Sequence, residues 1–381
     1  MSPTGELGPN QALIDQSGSR AALETPALVL DLDRLERNIA YLAGYLADAG
    51  HGLRPVAKIH KSVAVAKLQG AAGALGQCCA TLAEAEVMAD AGIPGVLLFS
   101  QVVTGPKIER LARLNARADG LLVAVDDAAV ASRLAAAARE AGRPLRMLVD
   151  FEVGGRRTGL VSIDDALALA RHVAGTDGAV YAGVQGYNGS FQREPDIAAR
   201  RAEQERCTAP LAELCERLAA EGLAPEIVSG GGTGTYAIDA AAGLFTECQA
   251  GSYIFMDVNY IDTPFEPNNP HPFEPALFVR TTVISARDEF AVTDAGIKEF
   301  AREELAPRVT SGADPESRYE LVGDDMGRVT VPAGARVPQV GEALECLTPH
   351  CYGTLNLYDA YHCVRGDTLV DIWPIDARAQ C

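Results

Sequence analysis

Short apolar runs alternate with longer amphipathic stretches over the first two thirds of the chain. The runs are often β-branched, and the stretches between them carry apolar residues at three-and-four spacing. This alternation predicts parallel strands joined by helical crossovers. About eight strand–helix units favour an α/β fold with a closed (β/α)8 barrel, and a doubly wound sheet is the alternative. The apolar runs are 27–30, 53–57, 76–81, 95–100, 121–125, 145–151, 179–187, 226–229 and 246–250.

The pattern changes after residue 262. The stretch Thr263–Pro275 carries five prolines, which is typical of a connector. Beyond it, strand-like runs are separated by turns containing Gly and Asp, at Asp324–Gly327 and Arg365–Asp367. We therefore expect a loose polar arm over 1–22, a barrel over 23–262 and an all-β domain over 263–381. The strands predicted in the last of these are 276–286, 289–293, 319–322, 343–348 and 369–375.

Composition excludes several classes of function. The 381 residues contain 33 Lys and Arg against 51 Asp and Glu, a net charge of −18. This balance argues against a nucleic-acid partner and against docking on an anionic membrane. No apolar run is long enough for a transmembrane helix, and the N-terminus lacks the pattern of a secretory signal. The nine cysteines form no CxxC pair, so we expect reduced thiols and a cytoplasmic protein.

The first candidate for chemistry is the segment Arg54–Ser62, which ends the second predicted strand. In a barrel this position is the C-terminal rim, where active sites lie. A lysine in a barrel mouth loses water contacts, so its pKa falls and its amine becomes a usable nucleophile for a Schiff base. The alternative is that Lys58 and Lys61 are two solvated lysines in a loop. The local signal taken alone favours this simpler interpretation.

The second candidate is the glycine-rich turn Ser229–Thr235, which follows the strand run ending at Ser229. Backbone N–H groups exposed by such a turn, together with hydroxyl donors, suit a phosphate. The turn matches neither a dinucleotide nor a Walker motif. A flexible loop is the alternative, but its late position in a barrel series favours phosphate. Gly251 and Ser252, at the end of the next strand, would add donors.

The third candidate is the run His350-Cys351-Tyr352. Adjacent residues on a strand point to opposite faces, so we expect His350 and Cys351 not to share a metal ion, whereas His350 and Tyr352 would share a face. A lone structural histidine is the simpler interpretation.

Arg157 follows a strand and would meet a ring nitrogen or a carboxylate, or remain a loop cation. Three further tyrosines lie at strand ends, where core packing is the default: Tyr187, Tyr253 and Tyr260.

The ordered set of motifs resembles the fold type III pyridoxal-phosphate (PLP) enzymes, which have an alanine racemase-like barrel. Within them the chain is most similar to D-threonine aldolases and 3-hydroxy-D-aspartate aldolases, with D-serine dehydratases related. The likeness extends from about residue 22 to residue 380. It rests on Glu24–Asp33 with Arg37-Asn38, Arg54–Lys61, Val228–Gly234, Gln249–Tyr260, Thr293–Lys298, Asn356–Asp359 and Asp371–Arg378.

The resemblance implies roles for particular residues. Lys58 would carry PLP covalently, and Tyr260, Tyr187 and Arg157 would lie near the cofactor ring or the substrate. The β domain would complete the site against a neighbouring subunit, which implies a homodimer. The implied phosphate-binding residues are Ser229, Gly230, Gly231, Gly232, Thr233, Gly251, Ser252 and Tyr253.

The chain also departs from the aldolase pattern. Val56, Asn188 and Met326 stand where these enzymes usually have histidine. The metal pair of the family, His-x-Asp or His-x-Cys, is here His350 and Tyr352. A phenol with a pKa of about 10 is neutral at pH 7, so the resemblance leaves His350 as the one ordinary ligand for a divalent ion. We therefore expect metal to bind weakly or not at all at this position.

The resemblance implies a PLP-dependent lyase that acts on a D- or 3-hydroxy amino acid by retro-aldol cleavage. Without a full metal ligand set, His60, His350 or Tyr352 would have to accept the hydroxyl proton. Racemisation and β-elimination are the alternatives, because they use the same cofactor chemistry. A PLP carrier without turnover is a further alternative. It is disfavoured because a carrier has no need of the β domain that begins near Ala276.

Overall fold

Two β-sheets organise residues 8–378, which are the residues that the computed structural model describes. The strands are β1 (Ala27–Asp31), β2 (Gly52–Leu53), β3 (Cys78–Cys79), β4 (Leu97–Leu98), β5 (Leu122–Val125), β6 (Leu145–Asp150), β7 (Ala179–Gly186), β8 (Ile227–Gly230), β9 (Glu247–Cys248), β10 (Leu277–Ala286), β11 (Phe290–Thr293), β12 (Arg308–Ser311), β13 (Arg318–Leu321), β14 (Gly327–Thr330), β15 (Ala343–Leu347), β16 (Ala360–Arg365) and β17 (Thr368–Pro374).

Helices connect most of the strands in the first two thirds of the chain. The α-helices are α1 (Ser19–Ala22), α2 (Leu32–Asp48), α3 (Val63–Ala71), α4 (Leu82–Asp90), α5 (Gly105–Arg117), α6 (Ala128–Glu140), α7 (Ile163–Ala174), α8 (Ile197–Ala220), α9 (Tyr236–Ala242) and α10 (Cys351–Leu355). Short 3-10 helices cover Pro9–Leu13, Ala57–Ile59 and Ser252–Ile254.

The first sheet is the predicted barrel. Its eight strands are parallel, in the order β2-β9-β8-β7-β6-β5-β4-β3. A parallel bridge between Val56 and Cys78 joins the two ends of this order. The prediction of a (β/α)8 barrel is therefore confirmed. The C-terminal ends of all eight strands meet at one rim, which is where this architecture places its active sites.

Side-chain caps fix where several barrel helices begin. At α4, Thr81 Oγ1 accepts a hydrogen bond from the Glu84 N–H, and the Glu84 carboxylate accepts one from the Thr81 N–H, which is a capping box. Asp127 caps α6 and Asp196 caps α8 in the same way through a carboxylate oxygen. The buried faces of these helices pack on the outside of the barrel in one continuous apolar cluster.

The second sheet has nine strands in the order β11-β14-β13-β12-β15-β10-β1-β16-β17. The predicted all-β second domain is confirmed, although β12, β14 and β16 were not predicted. The apolar run at Ala27 belongs to this sheet and not to the barrel, because β1 pairs antiparallel with β10 and parallel with β16. All five residues of β1 are buried, so the run has the same all-apolar pattern as a barrel strand. The other eight of the nine predicted apolar runs form the eight strands of the barrel.

The predicted loose arm is ordered where the structure describes it. Arg20 forms an ion pair with Glu345 of β15, with Nη2 2.6 Å from Oε2. The hydroxyl of Ser19 accepts a hydrogen bond of 2.7 Å from the backbone N–H of Leu369 in β17. Residues 8–22 are therefore docked on the β domain, and residues 1–7 lie outside the described part. No helix within residues 8–378 is both long and apolar enough to cross a bilayer.

Candidate active site

Lys58 lies at the C-terminal rim of the barrel, in the 3-10 helix that follows β2. Its Nζ is 6.0 Å from the ring centroid of Phe99 and 5.5 Å from that of Tyr352. Burial lowers the pKa of Lys58, and the positive charge of Arg157 lowers it further. An amine with a lowered pKa is a better nucleophile near neutral pH, so the environment of Lys58 suits covalent chemistry.

An open cavity of about 590 Å³ surrounds this lysine. Its charged lining residues, Lys58 and Arg157, are both cationic, and no carboxylate lines it within the described chain. In a protein with a net charge of −18 this local excess of positive charge favours an anionic ligand. The lining residues are Val56, Lys58, Ile59, Phe99, Arg157, Tyr187, Gly232, Thr233, Gln249, Gly251, Ser252, Tyr260 and His350.

The glycine-rich turn after β8 forms another wall of the cavity. Gly231 has φ +68°, a left-handed conformation that glycine adopts without strain. Thr233 Oγ1 accepts hydrogen bonds of 3.2 Å from the backbone N–H groups of Gly251 and Tyr253, which ties this turn to the turn after β9. Within residues 8–378, the N–H groups of Thr233 and Ser252 donate to no protein atom. The two turns therefore offer free donors to an anion at the cavity wall.

Arg157 and Tyr187 form another side of the cavity. The guanidinium carbon of Arg157 is 5.1 Å from the Tyr187 ring centroid and 5.8 Å from that of Phe99. The loop that carries Arg157 is anchored by Thr158, whose hydroxyl donates a 2.7 Å hydrogen bond to Asp150 Oδ2 in the barrel. Burial raises the pKa of Tyr187, so this phenol stays protonated near neutral pH and can donate a hydrogen bond.

Several residues predicted from the sequence lie outside the cavity. The Ser229 hydroxyl donates to Glu247 Oε1 at 2.6 Å inside the barrel. The Tyr253 hydroxyl accepts from Gln69 at 3.0 Å, so only its backbone faces the turn. His60 is fully buried beside Gln77, and burial lowers its pKa to about 4. A neutral imidazole in the core does not meet a substrate in the cavity.

Two other positions were not singled out from the sequence. Phe99 and Gln249 line the cavity, and both follow barrel strands at the rim. Each lies one residue before the end of a predicted apolar run, so the signal that identifies Lys58, a polar residue directly after such a run, passes over both. Gly230 lies in β8, outside the cavity lining, and packing requires glycine there. A Cβ on Gly230 would lie 2.2 Å from the carbonyl oxygen of Gly186.

The arrangement of His350 and Cys351 differs from the prediction. Strand β15 ends at Leu347 and helix α10 begins at Cys351, so strand alternation does not apply and the two side chains do not point apart. Both contact Asp257 Oδ2, with His350 Nδ1 at 2.6 Å and Cys351 Sγ at 3.3 Å. The backbone N–H of Cys351 donates to the same oxygen at 3.1 Å. Asp257 is therefore a site residue that the spacing argument missed.

These three residues bring one carboxylate, one imidazole and one thiol within 4.8 Å of one another. Burial and the Asp257 charge raise the pKa of the Cys351 thiol well above its usual range, so the thiol stays protonated. Tyr352 lies apart from this group, exposed, with its ring centroid 5.4 Å from Lys61 Nζ. Hard divalent ions prefer several oxygen ligands, and only Asp257 offers negative charge here. The residues therefore fit such an ion poorly, and Zn²⁺ would have to displace the thiol proton.

Replacing Thr233 tests the link between the two turns. Thr233→Val removes the oxygen that accepts from two backbone N–H groups, so we expect the free energy of unfolding to fall by about 1–3 kcal/mol. Urea denaturation measures this difference. Thr233→Ser keeps the hydroxyl and serves as the matched control. A valine variant as stable as the serine variant would contradict the role of this hydroxyl.

The chain is similar to known enzymes over more than nine tenths of its length. The 3-hydroxy-D-aspartate aldolase of Paracoccus denitrificans (strain Pd 1222) is 37% identical over 363 residues, which cover 94% of this chain and 93% of the relative. The D-threo-3-hydroxyaspartate dehydratase of Delftia sp. (strain HT23) is 31% identical over 377 residues, which cover 92% of this chain and 97% of the relative. The crystal structure of D-threonine aldolase from Filomicrobium marinum matches with a TM-score of 0.89 and 38% identity, covering 94% of this chain and 96% of that one.

Family profiles agree with these similarities and with the two sheets. Residues 30–259 match the profile described as alanine racemase, N-terminal domain. Residues 276–364 match the one described as putative serine dehydratase domain. The first match spans more than half of the chain, and the resemblance inferred from the motifs is confirmed. The chain belongs to the alanine racemase-like family of PLP-dependent enzymes, with a second domain of the serine dehydratase type.

Proposed function

We propose that this protein is a PLP-dependent lyase that cleaves D-3-hydroxy amino acids by retro-aldol chemistry. The observation that carries the proposal is the position of Lys58 in an open cationic cavity that is also lined by two turns with free backbone donors. Support comes from relatives of 37% and 38% identity that are named as aldolases of 3-hydroxy-D-aspartate and D-threonine. The likeness spans almost the entire chain, so it includes both walls of the cavity.

The cavity residues fit PLP. Lys58 would hold the cofactor covalently, and Thr233 and Ser252 would hold its phosphate through their free backbone N–H groups, beside Gly232 in the cavity lining. Arg157 and Tyr187 would contact the ring or the substrate carboxylate. When bound, PLP supplies an electron sink that stabilises negative charge at Cα of the substrate.

Retro-aldol cleavage also requires an acceptor for the proton of the 3-hydroxyl group. The bond between Cα and Cβ breaks, an aldehyde leaves, and a proton added to Cα gives glycine. We assign the acceptor role to His350, which lines the cavity while its Nδ1 is held by Asp257. Its Nε2 has no hydrogen-bond partner within the described chain, so this nitrogen is free to accept the proton. Tyr352, 6.0 Å from His350 between ring centroids, is the second group within reach.

The reaction can be identified from its products. We expect purified enzyme to convert D-3-hydroxyaspartate to glycine and glyoxylate, and D-threonine to glycine and acetaldehyde, both separated by chromatography. The dehydratase relative makes β-elimination the second candidate, which would release ammonia and a 2-oxo acid instead. Racemisation would give only the epimer. Elimination or racemisation without glycine would overturn the proposal.

The same preparation tests the role of Lys58. Borohydride reduction followed by peptide mapping should place the pyridoxyl group on Lys58, and Lys58→Ala should lose both the label and turnover. Lys67→Ala, an exposed lysine on α3, is the matched control and should keep both. A label on Lys61 or another lysine would contradict the assignment.

We also propose that the enzyme binds no hard divalent ion tightly at His350 and Tyr352. Because a phenol is a poor ligand for a hard ion and Cys351 keeps its proton, turnover should survive prolonged chelation. Tyr352→Asp adds a second carboxylate, so it should raise the affinity for Mn²⁺ measured by calorimetry, whereas Tyr352→Phe should not. A stoichiometric metal in the purified protein whose removal abolishes turnover would show this proposal to be wrong.

The remaining proposals concern assembly and location. We propose a homodimer, because the resemblance implies that a partner's β domain closes the cavity. Light scattering of the active enzyme measures this, and a fully active monomer would refute it. The cytoplasmic location expected from the cysteine usage stays a prediction.

A further inference from the structure

One buried carboxyl group has no part in the chemistry described above. Asp239, on α9, is 4% exposed, and its Oδ1 accepts a hydrogen bond from Gln204 on α8. Its other oxygen, Oδ2, is buried and has no hydrogen-bond partner within residues 8–378. A buried carboxylate oxygen without a donor is costly, whereas a protonated oxygen loses much of that cost.

This oxygen lies directly behind the glycine-rich turn. A Cβ built on Gly231 would be 2.5 Å from Asp239 Oδ2, so glycine is required there by the carboxyl as well as by φ. The next two residues, Gly232 and Thr233, line the cavity. The Asp239 carboxyl therefore lies against the turn at the residue that directly precedes the two that line the cavity.

No cation neutralises Asp239 from the surrounding elements in the described chain. The groups that face it are Gln204 from α8, Thr235 at the start of its own helix, and the thiol of Cys248 from β9. The charged and titratable residues nearby are engaged elsewhere. Arg200 donates to backbone carbonyls, Glu247 pairs with Arg54, and His51 contacts the Ala240 carbonyl.

We propose that Asp239 is a positioning residue whose protonation controls binding of the cofactor phosphate to the glycine-rich turn. This inference rests on the proposed PLP site. With Asp239 neutral, the turn presents its donors to the phosphate unopposed. With Asp239 ionised, a second negative charge lies behind the same backbone and repels the phosphate dianion.

The direction of the pH effect follows from the burial of this group. Burial raises the pKa of Asp239 to about 7, because no cation offsets the cost of the charged form. Above that pH the free protein has an ionised Asp239, and binding of phosphate must first return a proton to it. The affinity for PLP should therefore fall as pH rises above 7, by at most about tenfold per pH unit for one linked proton.

Equilibrium dialysis of the full-length protein against PLP, between pH 6.5 and 8.5, tests the inference. Pyridoxal, which lacks the phosphate, is the matched probe. In the wild type the dissociation constant for PLP should rise several-fold relative to that for pyridoxal across this range. Asp239→Asn, which mimics the protonated carboxyl, should abolish this relative rise, and Asp239→Ser provides a second neutral variant if the first folds poorly.

The outcomes of this experiment distinguish failure of the role of Asp239 from failure of the proposed function. If PLP and pyridoxal show the same pH dependence in the wild type, or if the neutral variants keep the wild-type difference, Asp239 does not control phosphate binding. If the wild type binds no PLP at any pH, the proposed function fails and this inference fails with it. If PLP labels Lys58 but the pH profiles of wild type and variants coincide, only the role of Asp239 is lost.

Unfolding without added cofactor gives an independent measurement. An aspartate whose pKa is raised in the folded state binds its proton more tightly there than in the unfolded chain. The free energy of unfolding of the wild type should therefore fall relative to that of Asp239→Asn between about pH 4 and pH 7, and the difference should then stay constant. A constant difference over the whole range would mean that Asp239 is ionised throughout and would overturn the proposal.

Discussion

The buried ion pair between Arg54 and Glu247 holds the two halves of the active site together. The guanidinium donates two hydrogen bonds of 2.8 and 2.7 Å to the carboxylate, and the two residues are only 4% and 2% exposed. Glu247 also accepts from Ser229 on the next strand. Removing one partner would leave the other charge buried and unpaired, so replacing either residue alone would strongly destabilise the fold. Arg54 directly follows β2 and precedes Lys58, and Ser229 precedes the glycine-rich turn, so this pair links the segment that carries the lysine to the strands that carry the two turns.

The residues whose position at the barrel rim could be predicted are those fixed by local sequence. A residue in the loop that follows an apolar strand run lies at this rim, whichever way the barrel closes. This rule places Lys58, Arg157, Gly232 and Thr233 around one cavity. The direction of a side chain beyond its own strand depends on neighbours from distant segments. Ser229 points into the barrel because Glu247, eighteen residues later, accepts a hydrogen bond from its hydroxyl.

The same limit explains the contacts that the pattern did not predict. Alternation along a strand separates His350 from Cys351 only if the strand continues past Leu347, and here it ends. The position of Asp257, ninety-three residues before His350, then brings both side chains to one oxygen. An all-apolar run such as Ala27–Leu30 likewise fits either sheet, because both sheets contain completely buried strands. Its partners, and not its own residues, decide where it lies.

The placement of β1 has a consequence for how the protein is made on the ribosome. This strand is among the first segments to emerge, yet its neighbours are β10 and β16, which lie some 250 and 330 residues further along the chain. This interior strand of the nine-stranded sheet must therefore remain unpaired while the whole barrel is synthesised. Its apolar residues and open edges need protection during that interval, since such segments aggregate readily. The barrel and the nine-stranded sheet cannot be separated by cleaving the chain at one point between them, because the sheet would lose β1 from its interior.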